Sequence, residues 1–176
     1  GCDNAEVCVE SIRFGAPVWV VMAPQAGATA PAALAGAIVQ CVAEGLAGLL
    51  LVDMVQAGFP VIVGPWPFVS DLRTGAFSGG SGEEAVVSAG AAQMVNYYGL
   101  PSSVGAGMTD AKSPDCQAGY EKALAVALAA HAGCNNISES AGMLGSLMAL
   151  SLEAMVIDND MLGAVLRTVR GIMAPP

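Results

Sequence analysis

Residues 99–121, GLPSSVGAGMTDAKSPDCQAGYE, constrain the fold more than any other stretch. Tyr97, Tyr98 and Gly99 read as the end of a helix. After Leu100-Pro101 comes a short apolar run, 103–107, then a polar elbow, 108–113. Pro114-Asp115 opens a new helix carrying Gln117, Tyr120 and Glu121. Strand, polar loop and capped helix form the repeating unit of α/β proteins. The loop leaving a strand's carboxyl end is where those folds place their chemistry. Here that loop holds Asp110 and Lys112, opposite charges in a chain that is only 12% charged.

The same alternation runs along the chain. Asp3 or Asn4 caps a first helix that Gly15 ends. The β-branched run 18–22 is a buried strand. Residues 23–31 form a loop with Gly27 as hinge, Thr29 as the next cap and Pro31 in the first turn. The spacing of Leu34, Ile38, Cys41 and Val42 predicts a helix over 32–45. A second strand is expected at 49–52 and a third at 60–63, with no room for a helix between them. Residues 70–82 form a long loop, and Glu83-Glu84 begin a helix that reaches about Tyr98. A helix over 115–132 and a fifth strand over 133–138 follow. Residues 141–150 read as a loop or short helix, 151–153 as another short helix. Asp158 caps a last helix, 159–170. Strands alternating with helices imply a parallel sheet. Periodicity leaves barrel and open sheet both open, but there is no GxGxxG after a strand and no GxxxxGK[ST], which disfavours a nucleotide-binding sheet.

The chain of 176 residues is 55% hydrophobic, with mean hydropathy +0.61. Its apolar stretches are broken by Gln40, Glu44, Asp53 and Gln56, short of the roughly 18–20 residues a spanning helix needs. It reads instead as the interior of a larger α/β protein, whose parallel strands are apolar on both faces. A net charge of −9 with six basic residues argues against nucleic acid. It suits a cationic ligand. Five cysteines without a CxxC, and the single histidine His131, give no zinc pattern. They read as reduced, mostly buried thiols of a cytoplasmic protein and a surface or helix-end histidine.

Several segments carry a resemblance: AGATAP at 26–31, LAGAIVQ at 34–40, AEGLAGLLL at 43–51, GLP at 99–101, TDAK at 109–112, DCQAGYE at 115–121 and SLEAMVIDNDML at 151–162. In collinear order over nearly the whole chain, they resemble the trimethylamine methyltransferase family. That family demethylates trimethylamine and related quaternary amines onto a corrinoid protein. The resemblance implies a TIM barrel. About five βα units out of eight imply that 1–176 is a single domain, a partial TIM (β/α)8 barrel with parallel strands inside a larger methyltransferase. The start at Gly1, without a signal segment, and the uncapped end at 174–176 fit that expectation. Two open sheet edges and an uncovered interior imply self-association, hence a possible homo-oligomer.

In a barrel the residues just after each strand converge on one mouth. Here they are Gln25, Asp53 with Gln56, Trp66 with Phe68, Asp110 with Lys112, and Ser138 with Glu139. Trp66 and Phe68 either wall a quaternary ammonium by cation–π attraction or pack between prolines. Asp110 and Lys112 either orient substrate and contact the corrinoid, or cap a turn and meet solvent. Glu139 stands where the family pattern tends to have a histidine, and holds an ammonium by charge or caps the next turn. Asp53 falls where the family tends to have an amide. An ordinary lysine at 112, near the family's pyrrolysine, leans the substrate towards a betaine-type quaternary amine. The resemblance implies a cobalamin carried by a partner protein, with no cofactor or metal bound by this chain. The partners are that corrinoid protein and a small methylated amine, with no membrane. Two rivals stand beside it: another barrel enzyme using a buried Lys112 as Schiff-base amine, and a truncated, non-catalytic binding module.

Overall fold

The computed structural model describes residues 2–172. The elements in order are α1 (Cys2–Arg13), β1 (Val18–Met22), β2 (Gln25–Ala26), α2 (Leu34–Val55), β3 (Val61–Pro65), β4 (Phe68–Val69) and α3 (Gly82–Tyr97). They continue with β5 (Ser103–Gly105), α4 (Cys116–His131), β6 (Asn136–Ser138), β7 (Met143–Leu144), β8 (Ala149–Leu150) and α5 (Leu152–Val169). The α/β expectation holds, with parallel strand pairs and no closed barrel among the described residues.

Val18–Met22 pairs in parallel with Val61–Pro65, and Ser103–Gly105 with Asn136–Ser138. The two pairs meet at one parallel bridge, Val63 to Ser102, with the Val63 amide donating to Pro101 O at 3.0 Å. The four strands therefore lie side by side in chain order, β1-β3-β5-β6. A helix intervenes between each strand and the next, so every strand ends at the same edge of the sheet. Two-residue β2 and β4 form a separate parallel pair beyond the ends of β1 and β3, joining Gln25 to Phe68.

Alternation along the strands separates two faces. One face meets the helices: Met22 and Val63 pack with Cys41 and Val95, and Val104 packs with Ala85, Ala92, Ala125 and Ala129. The second of these clusters is built largely from alanines, which bring helix and sheet close. On the other face Trp19, Val21 and Ile62 stay 43%, 42% and 37% exposed.

Several sequence expectations are corrected. Residues 34–55 form one helix, not a helix and a strand. Gly45 and Gly48 do not end it: a Cβ at Gly45 would lie 2.4 Å from the Met22 methyl, and one at Gly48 would lie 2.4 Å from Val20 Cγ1. They are contact points against β1, and the leucines after them are good helix formers. This helix is long and apolar enough to cross a membrane by length and composition, contrary to the expectation. Ala37, Cys41, Val42, Gly45 and Val52 are nonetheless buried in the fold. Residues 152–169 likewise form one helix, capped by Ser151, whose hydroxyl accepts from the Ala154 amide; Asp158 is mid-helix and buried. Residues 143–150 form an antiparallel hairpin. Thr29 caps no helix, because its hydroxyl accepts from the Gln25 amide instead. Of the cysteines described, Cys41 is buried and Cys116 exposed. The expectations for residues 1 and 174–176 lie outside the described residues.

Candidate functional site

The strand ends gather an aromatic row. Trp66, the first residue after β3, lies over β5. A Cβ at Gly105 would sit 3.0 Å from the indole, so the glycine lets the ring settle there. Trp19 meets Trp66 edge-on at 5.6 Å between centroids. Phe68 follows at 6.2 Å from Trp66, and Phe77 at 4.5 Å from Phe68. The indole N–H of Trp66 is buried without a hydrogen-bond partner. Phe77 escaped the sequence reading because it sits in a Gly/Ser-rich loop. A lone aromatic in such a loop is the signal that could have found it.

Phe77 also lines a cleft of about 450 Å³, with Asp71, Asp110, Lys112, Ser146 and Met148 around it. Asp110 is tied down. The Ser78 hydroxyl donates to its Oδ2 at 2.7 Å and the Gly79 amide to its Oδ1 at 2.8 Å, and the Ser146 hydroxyl also donates to Oδ1. It fastens three segments as well as facing the cleft, so the turn-capping alternative understates it. Beneath it, buried Glu121 accepts from the Thr109 hydroxyl at 2.5 Å, the Asp110 amide at 2.9 Å and Gln117 at 2.9 Å. The α4 helix starts where expected because the Asp115 carboxylate accepts from the Ala118 amide. That bond, followed by the Ser113 hydroxyl, holds the Asp115 carboxyl below its usual range. Lys112 is exposed at the rim. The Schiff-base rival needs a buried lysine, which the described residues do not supply at 112.

Glu84 was missed. It lies in the first turn of α3, 1% exposed, with Ser88 donating to Oε1 at 3.1 Å and Oε2 unpartnered. Burial pushes its carboxyl up to about 8; the Ser88 hydroxyl opposes this, and the charge of Asp110 adds to it. No sequence pattern marks it, because Glu in a first turn is ordinary.

The other expected residues divide. Gln25 stands beside Phe68 at the same edge. Glu139 follows β6 in a left-handed conformation, φ +58°, outside the cleft lining. A Cβ on Gly107 would lie 2.7 Å from Ser140 Cα, so the segments after β5 and β6 touch. Asp53 and Gln56 are corrected. Both end α2, which returns the chain to the start of β3, so they lie at the opposite edge; Asp53 there accepts from the Gly58 amide at 3.1 Å. Of the residues expected at one mouth, Gln25, Trp66, Asp110 and Glu139 lie at that edge, and Asp53 and Gln56 do not. His131 is exposed at the end of α4, bonded to the Thr168 hydroxyl at 3.0 Å. Among the described residues no three His, Cys, Asp or Glu cluster as metal ligands.

The profile described as trimethylamine methyltransferase (MTTB) matches residues 3–176. The trimethylamine methyltransferase MttB of Methanosarcina barkeri is 40% identical over 170 residues, 97% of this chain and 34% of that protein. The glycine betaine methyltransferase of Desulfitobacterium hafniense (strain Y51) is 38% identical over 157 residues, 89% of this chain and 33% of that protein. The chain thus spans about a third of the length of these curated relatives. By this match the chain belongs to the trimethylamine methyltransferase family.

Proposed function

We propose that this chain is part of a cytoplasmic methyltransferase that removes a methyl group from a small methylated amine, a quaternary betaine-type amine or trimethylamine, and passes it to a corrinoid on a partner protein. The observation that carries the reading is the family match over residues 3–176, joined to relatives named for trimethylamine and glycine betaine. The strand order β1-β3-β5-β6 is that of consecutive βα units, and we take it as an arc of a (β/α)8 barrel in a longer protein. The rest of the barrel would cover the Trp19, Val21 and Ile62 face.

In this reading the residues of the chain bind and orient. The faces of Trp66, Phe68 and Phe77 hold the ammonium and exclude water from it. A desolvated cation–π contact is worth about 2 kcal/mol. Asp110 adds negative charge from a fixed position, and Gln25 and Glu139 flank the same edge. Lys112 at the rim can pair with the carboxylate of a betaine. The corrinoid supplies the methyl-accepting nucleophile when its carrier docks. This reading keeps the corrinoid on the partner protein and gives His131, bonded to the Thr168 hydroxyl, no part in holding it. A cationic substrate leaves as a neutral amine, so no protein acid or nucleophile is required.

The test is methyl transfer by the full-length protein with a corrinoid protein and either glycine betaine or trimethylamine. Formation of the demethylated amine supports the reading. A protein that binds amines and never demethylates one supports the binding-module alternative.

A further inference from the structure

Among the described residues, Lys122 and Asp158 form the one buried ion pair, 2.5 Å apart, with the side chains 1% and 7% exposed. The binding geometry above makes no use of it. A buried pair is weak evidence for stability, because well-packed apolar residues replace such pairs without loss. Its surroundings give it another role. Asp158 Oδ2 also accepts from the Gly142 amide at 2.7 Å. Gly142 opens the β7–β8 hairpin at φ +81°, and a Cβ there would lie 2.9 Å from Leu150. The Ser151 amide donates back to Gly142 O at 2.9 Å. Asp158 therefore holds one foot of the hairpin directly, at Gly142, and Gly142 in turn holds the other, at Ser151.

The tip of the hairpin lies on the cleft. The Gly145 amide donates to Ala111 O at 2.8 Å and the Ser146 amide to Thr109 O at 2.7 Å, while the Ser146 hydroxyl donates to Asp110. Ser146 and Leu147 are left-handed, φ +53° and +72°. Non-glycine residues keep that conformation only where their neighbours over-determine it. On α4 the preceding residue, Glu121, holds Thr109 and the Asp110 amide. Adjacent residues of one helix thus hold both walls of the cleft: Glu121 the β5–α4 segment, and Lys122, through Asp158, the hairpin.

We propose that Lys122 and Asp158 are positioning residues that set the β7–β8 hairpin as one wall of the amine cleft, with Ser146 and Met148 at its tip as specificity determinants. This rests on reading that cleft as the amine site. Two double variants separate positioning from packing. Lys122→Met with Asp158→Leu removes both charges, fills the space and leaves the Gly142 amide without an acceptor. Lys122→Met with Asp158→Asn keeps an oxygen for that amide. Amide hydrogen exchange over 142–150 and calorimetry with tetramethylammonium read each chain. The Leu variant should exchange about tenfold faster in that segment alone and bind about tenfold more weakly, the size of one lost hydrogen bond. The Asn variant should restore both. Ser146→Ala, with the ion pair intact, loosens the same segment from its tip, and reads the wall should the Leu variant fail to fold. Parental exchange over 142–150 in the Leu variant, or faster exchange with unchanged tetramethylammonium affinity, overturns the proposal. If the parent binds no tetramethylammonium, the amine reading fails, and the exchange result alone decides the hairpin's dependence on the pair.

Discussion

Glu84 stands in the first turn of α3, where negative charge favours a helix, yet its side chain is buried beside Asp110 with one oxygen unpartnered. Its carboxyl lies at about 8 against an ordinary 4.5. The folded state therefore holds this proton more tightly than the unfolded chain. The stabilisation is complete below about 4.5 and is lost as pH rises towards about 8, at about 1.4 kcal/mol per pH unit across that window. Glu84→Gln removes the titration and keeps an acceptor for Ser88. Urea unfolding of both chains across neutral pH should show the difference in stability between parent and variant shrinking or reversing as pH rises. Parallel curves would mean that Glu84 is ionised in the fold. The same residue shows a limit of reading sequence. Nothing local distinguishes a Glu that stabilises a helix end from one folded under the cleft by β4 and the loop after it. The Asp110–Ser146 and Lys122–Asp158 partners are equally invisible, because each joins residues 36 positions apart.

Glycine has opposite meanings in α2 and α5. Gly45 lies against Met22 and Val63, whereas Gly163 has nothing within 4 Å of a Cβ. Gly45→Val should cost about 1–3 kcal/mol by overpacking, and Gly163→Ala should gain about 0.5–1 kcal/mol through helix propensity. Thermal melts of the two variants check this, and a tolerated Gly45→Val would dissolve the contact that makes residues 34–55 one helix. Elements with local signals were legible: β1 from its β-branched run, α4 from Asp115, α3 from its acidic start and β5 from its short apolar run. The stretch 43–52 misled because Gly45 and Gly48 resemble stops when read along the chain and become contact points only against β1. That error carried Asp53 and Gln56 to the wrong edge of the sheet. The short strands β2, β4, β7 and β8 have no periodicity to read; their pairing is a tertiary matter. Trp66 and Phe68 were legible as strand-end aromatics because both follow a recognisable strand.

At the scale of the whole molecule, one sheet face is covered by helices and the other is not. Trp19, Val21 and Ile62 leave a partly exposed apolar surface beside two open strand edges. Surfaces of that kind associate. Light scattering of the chain alone should give self-association, and Val21→Lys with Ile62→Lys should shift it towards monomer. A monodisperse parent would contradict an uncovered barrel interior. The central claim is that the strand ends recognise a quaternary ammonium. Calorimetry with glycine betaine and with its isostere, in which a quaternary carbon replaces the nitrogen, tests it most directly. The account predicts that betaine binds about thirtyfold more tightly, the equivalent of about 2 kcal/mol of cation–π attraction, and that Trp66→Ala weakens betaine and spares the isostere. Equal affinities for the two ligands, or equal losses of both in Trp66→Ala, would contradict it.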